Sequence, residues 1–145
     1  MSTRADIVRV ARSYLGTPFH HLGRLPGVGL DCAGVLVCVC RELGLVSAGF
    51  DTPAYSPTPD GRTLLDGCAQ YMTPIDREAM QPGDAILVIT DLHPQHLAIL
   101  GDHAHGGLSI IHAAALARPA RVIETRLLFS RAQRFVAAFA LPGIA

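Results

Sequence analysis

Residues 29–44 read GLDCAGVLVCVCRELG. Asp31 is a residue type that caps helix N-termini, and Gly44 is one that ends them. The pattern predicts a helix from Cys32 to about Leu43. Positions 35, 36, 39, 40 and 43 are apolar, but so are 33, 37 and 38, and only Arg41 and Glu42 are charged. A helix that is apolar nearly all round belongs at the centre of a fold. Cys32 then stands in its first turn, where unpaired backbone N–H groups and the helix dipole favour an anion. That environment lowers a thiol's pKa and makes a nucleophilic thiolate. A buried structural cysteine is the alternative reading of Cys32 taken alone.

The elements around this helix predict an α+β domain. Thr3 and Asp6 resemble a capping box for a helix over 3–15, with Ile7, Val10, Ala11, Tyr14 and Leu15 on one stripe. Residues 16–30 and the proline-rich 46–61 read as loops, and 62–72 as a third helix. The period then changes. Segments 85–89, 96–100, 108–112, 121–125 and 134–140 are short, β-rich and separated by turn residues. Helices first and strands after give N-terminal helices packed on an antiparallel sheet of about five strands. With 145 residues and no linker or repeat, a single domain over 1–145 is expected.

Composition excludes several classes. Half the residues are hydrophobic and 17% are charged, a globular composition. Twelve basic and twelve acidic residues balance, so no basic excess points to nucleic acid. No window approaches the ~20 apolar residues of a membrane span. The N-terminal MSTRADIVRVARSYLG lacks an uninterrupted apolar region and does not read as a signal peptide. Synthesis in the cytosol is therefore expected. Cys38 and Cys40 are two apart in a helix and face different sides, so disulfides are not expected from the four cysteines.

A thiolate attacking a carbonyl needs a base, usually histidine. His96 begins one predicted strand and His112 ends the next. A turn over 102–106 pairs position i with 208 − i and sets His96 directly across from His112, where one imidazole can orient the other. His93, His103 and His105 offer a metal alternative with these two, but their spacing is loose and no CxxC or HExxH accompanies them. No metal and no cofactor is expected.

The motifs GTPF at 16–19, GLDCAG at 29–34, QPGDAILV at 81–88, HLAIL at 96–100 and IIHAA at 110–114 occur in that order. Together they resemble the NlpC/P60 cysteine peptidases, over about residues 4–142. The resemblance implies a papain-like fold and cleavage of peptide bonds in bacterial peptidoglycan, often at the D-γ-glutamyl–diaminopimelate bond. It implies Cys32 as nucleophile, His96 as general base and His112 as the residue that orients it. The Cys32 backbone N–H would help hold the oxyanion, beside Phe19, His20, His21 and Asp31 lining the site. The spacer GRLPGVGLDCAG, the PARVIETRL segment and the ending RFVAAFALPG resemble the group carried by phage tails and gene-transfer particles. Tail proteins are the implied partners, and the particle would bring the enzyme to the wall. The pattern departs at Phe19, where the family has a tyrosine whose hydroxyl lies near the nucleophile; His20 or His21 could replace that donor. Two other functions share these residues: a thiol amidase or acyltransferase on another substrate, and a non-catalytic tail-assembly or wall-binding module.

Overall fold

The structure, a computed structural model, describes residues 1–52, 63–90 and 95–144. Helix α1 spans Arg4–Ser13. Its capping box forms as the sequence predicts: the Asp6 N–H donates to the Thr3 hydroxyl at 3.2 Å, and the Thr3 N–H donates to the Asp6 carboxylate at 2.9 Å. Ile7, Val8, Val10 and Ala11 enter the core. Leu15, expected on the same stripe, is 43% exposed; the helix has ended by then, and the chain leaves the helical period at Tyr14. The Tyr14 hydroxyl donates to Glu42 at 2.6 Å, tying α1 to helix α2, Cys32–Glu42. α2 is buried on nearly every side, as its composition requires. Helix α3 spans Thr63–Tyr71. Positions 53–62, which include most of the proline-rich loop and the predicted start of α3 at Arg62, lie outside the described residues, as does His93.

Within the predicted loop 16–30, β1 (Arg24–Leu25) and β2 (Gly29–Leu30) form a two-stranded ribbon. Among the described residues, the main sheet holds six strands instead of about five: β3 (Thr73–Ile75), β4 (Ala85–Thr90), β5 (His96–Asp102), β6 (Leu108–Ala114), β7 (Arg121–Arg126) and β8 (Gln133–Ala140). Their order is β3-β8-β4-β5-β6-β7, with every neighbouring pair antiparallel. The unpredicted strand is β3. It is short, lies on the edge and contains Pro74, so it carries no alternation to read.

The sheet is covered on both faces, which explains why its central strands read as apolar runs. Leu87, Leu97, Ile99, Ile111 and Phe139 pack in one cluster with α1 and α2. Ile86, Val88, Ala98, Leu100 and Ile110 form a second cluster, capped by Leu127, Phe129 and Phe135. An ion pair fixes α1 to the sheet: Arg12 donates to both oxygens of Glu124, at 3.0 and 2.9 Å, and the Ser109 hydroxyl donates to the same carboxylate at 2.6 Å.

Candidate active site

Asp31 caps α2 as predicted, accepting the Gly34 N–H at 2.8 Å. Gly34 belongs there for a second reason. A Cβ at this position would collide with the Gly23 carbonyl oxygen, so only glycine lets the 20–24 segment approach the first turn of α2. Cys32 is the one cysteine of the four with partial exposure, and all four thiols are free. The backbone N–H groups of Leu97 and Ala33 lie near the Cys32 sulfur and favour its charged form. Leu97 follows His96 in the chain, so the Cys32 sulfur lies near the start of β5.

The expected thiolate is not the resting form. Burial pushes the Cys32 thiol up to about 11, and the charge of Asp31 adds to this; the two backbone donors and Arg24 act in the opposite direction. A helix N-terminus and two N–H groups do not outweigh desolvation here. Cys40 and Cys68 are pushed higher, to about 12, and Cys38 is also raised, in each case chiefly by burial.

His96 and His112 meet, though by a different register from the one expected. Ile99 pairs with Ile111 and Asp102 with Leu108, so the pairing sum is two higher than a turn at 102–106 would give. Gly106 and Gly107 both take left-handed φ values, 91° and 76°, and the His103 N–H closes the turn on the Gly107 carbonyl at 3.0 Å. The turn is thereby centred one residue later. Continued along the strands, this register sets His112 across from Ala98 and makes His96 its diagonal neighbour. A slip of two keeps both side chains on the same face, and diagonal residues remain within reach of a long ring. The two rings lie edge to face at 4.8 Å, with His96 Nε2 and His112 Nδ1 hydrogen-bonded at 2.7 Å. His96 is 9% exposed. Burial pushes His112 down to about 4, so it is a neutral imidazole across the physiological range. Its other nitrogen, Nε2, lies 3.4 Å from the Thr125 hydroxyl.

The remaining predicted residues line the approach to α2. Phe19 bridges to Leu30, donates its N–H to Ala120 at 3.0 Å and packs its ring against the core. His20 Nδ1 is 2.9 Å from the His21 carbonyl. His21 Nδ1 stands 4.0 Å from Asp31, which brings this ring beside the residue that precedes Cys32. An apolar cavity of about 290 Å³ adjoins the site, between α2 and α3; its walls include Ala33 and Leu97, the chain neighbours of Cys32 and His96. Among the described residues, no cluster of His, Cys, Asp or Glu is arranged to hold a metal ion. Two residues were not legible in advance, Thr125 and Arg24. Thr125 looks like any strand threonine. Arg24 sits in a glycine-rich loop, and only the burial of Asp31, which requires a partner, could have drawn attention to it.

Helices on one side of an antiparallel sheet, with a cysteine in the first turn of a buried helix and a pair of hydrogen-bonded histidines on adjacent strands, make a papain-like α+β fold. More particularly, the chain has the fold of NlpC/P60 domains. The NlpC/p60 domain of the peptidoglycan hydrolase SagA superposes with a TM-score of 0.60 at 23% identity, covering 97% of this chain and 100% of that one. An NlpC/P60 family protein from Bacillus cereus gives 0.67 at 19% identity over 97% of this chain, which spans 41% of that longer protein. An N-acetylmuramoyl-L-alanine amidase from Bacteroides uniformis gives 0.58 at 10% identity, over 96% and 98% of the two chains. No sequence-family model and no curated protein matches the chain.

Proposed function

We propose that this protein is a cysteine peptidase that hydrolyses amide bonds in the peptides of bacterial peptidoglycan. The observation that carries the reading is the 2.7 Å bond between His96 Nε2 and His112 Nδ1, with His96 next in the chain to Leu97, whose backbone N–H lies near the Cys32 sulfur. That bond commits Nε2 of His96 to His112, and in this reading Nδ1 is the nitrogen that takes the thiol's proton. For Nδ1 to accept a proton, Nε2 must carry one and donate it to His112. His112 then holds its own proton on Nε2, toward Thr125. Burial keeps His112 neutral, so it stays an acceptor while His96 becomes a cation.

The steps follow from these tautomers. The Cys32 proton passes to His96 Nδ1 as the sulfur attacks the scissile carbonyl carbon; with the thiol at about 11, transfer accompanies attack. The Cys32 backbone N–H, an unpaired donor at the start of α2, stabilises the oxyanion. The imidazolium gives its proton to the departing amine, and the C–N bond breaks to leave a thioester. Water, deprotonated by the same imidazole, then releases the acid and the free thiol.

Within this reading we favour the D-γ-glutamyl–diaminopimelate bond and delivery to the wall by a phage-tail particle. Both rest on the sequence motifs. Incubating the protein with purified peptidoglycan and identifying released peptides by mass spectrometry tests the class. Peptides with a new diaminopimelate amino group, absent with Cys32→Ala, support the bond. Intact stem peptides freed from muramic acid would instead assign an amidase. Absence of any product from every wall type would point to a structural tail module. Detecting the protein in purified tail particles tests its delivery.

A further inference from the structure

The cap of the nucleophile's helix is a buried carboxylate. Asp31 is 3% exposed and accepts hydrogen bonds from Gly34 N–H at 2.8 Å, from Leu22 N–H at 2.8 Å and from Arg24 Nη1 at 2.9 Å. The capping bonds serve the helix, but a negative charge next to Cys32 opposes formation of a second one on the sulfur. An asparagine would cap as well without that conflict. Arg24 resolves it. Its guanidinium lies largely buried against Asp31, donates also to the Gly23 carbonyl at 2.8 Å, and is held from behind by Asp51, which accepts from Nε at 2.9 Å. Arg41, in the last turn of α2, approaches Asp51 at 3.5 Å. The same contacts hold Leu22 at a left-handed φ of 60°, a conformation that a leucine keeps only under constraint.

We propose that Arg24 is a positioning residue for Cys32: it neutralises Asp31 and clamps the 20–24 segment on the first turn of α2, so that a carboxylate can cap the nucleophile's helix without suppressing the nucleophile. The other ionisable groups around the sulfur come from every side. His96 and His112 stand on β5 and β6, His21 lies on the Asp31 side, and Cys68 on α3 is near enough for a Cys32 thiolate to raise it further. Of these surroundings, the Arg24–Asp31 pair is the part that can be altered without touching His96 or His112.

The inference rests on Cys32 being the nucleophile, and its test needs no substrate. Cys32 alkylation by iodoacetamide is followed from about pH 6 to about pH 10 in wild type, Arg24→Gln, Arg24→Lys, Asp31→Asn and the Arg24→Gln/Asp31→Asn double variant. Arg24→Gln is expected to move the profile to higher pH and slow the reaction roughly tenfold at fixed pH, the equivalent of one pH unit. Arg24→Lys, which keeps the charge, should recover most of the rate. Asp31→Asn should react faster than wild type, and adding Arg24→Gln to it should change nothing further. An unshifted profile in folded Arg24→Gln overturns the proposal. So does an equal slowing by Arg24→Gln in the Asp31→Asn background, because Arg24 would then not act through Asp31. If Arg24→Gln does not fold, Arg24→Lys and Asp31→Asn decide: an Asp31→Asn profile identical to wild type overturns it. Failure to cleave peptidoglycan leaves these outcomes unchanged, so the two readings fail separately.

Discussion

His112 should make the protein acid-sensitive in a defined window. A histidine in an unfolded chain titrates near 6.5, and burial pushes His112 down to about 4 in the folded protein. Between those values the unfolded state binds a proton that the folded state refuses, so stability falls as pH falls. The contribution is fully present above 6.5, declines through the window and is fully lost below about 4. The complete difference corresponds to about 3 kcal/mol, and near pH 5 the loss should already be about 2 kcal/mol. Part of the ring edge meets solvent, which trims both figures. Urea unfolding of wild type and His112→Asn at several pH values from about 8 to about 4 isolates the effect. Asparagine keeps an acceptor for His96 but has no proton to take up, so its stability should decline less by about these amounts. Parallel pH curves for the two proteins would falsify the claim that burial holds His112 neutral.

Three further outcomes are expected. Alkylation of Cys32 should be slow near neutral pH and rise about tenfold per pH unit toward 11, with Cys38, Cys40 and Cys68 protected; a fast, flat rate around neutrality would mean a preformed thiolate–imidazolium pair. In a peptidoglycan-release assay, His96→Ala should abolish activity while His112→Asn keeps part of it, since the second variant loses orientation and not the base; the reverse order would exchange their roles. Phe19→Tyr should raise turnover, with little change in melting temperature, if an oxyanion donor is missing, a deficit of on the order of a hundredfold. If His20 or His21 already supplies that donor, the tyrosine should be neutral or harmful and the corresponding histidine-to-alanine variant should be slow.

Much of this architecture is written locally. The Thr3–Asp6 box, the Asp31 cap, the Gly44 stop and the five longer strands follow from capping chemistry and hydrophobic pattern. The meeting of His96 and His112 was also legible, because any even register slip preserves it. Its diagonal geometry was not. That depended on whether two adjacent glycines would carry the hairpin turn, a choice that moves its centre by one residue. β3 gave no periodic signal. The state of the Cys32 thiol was misjudged for a different reason: a helix N-terminus can be read from sequence, whereas the desolvation that outweighs it depends on residues from β5 and α3 brought up from far along the chain.

The strand order carries a consequence for how such a chain is made. β8 lies between β3 and β4, paired on both sides, although it follows all the other strands of this sheet in the chain. Until it arrives, β4 has an open edge and β3 has no partner. The site residues, all contributed by earlier elements, then stand on an unfinished platform. A ribosome-bound or truncated chain ending before Gln133 would carry Cys32, His96 and His112 yet lack the sheet that aligns them. Any activity that depends on that alignment would therefore be withheld until translation has passed that point.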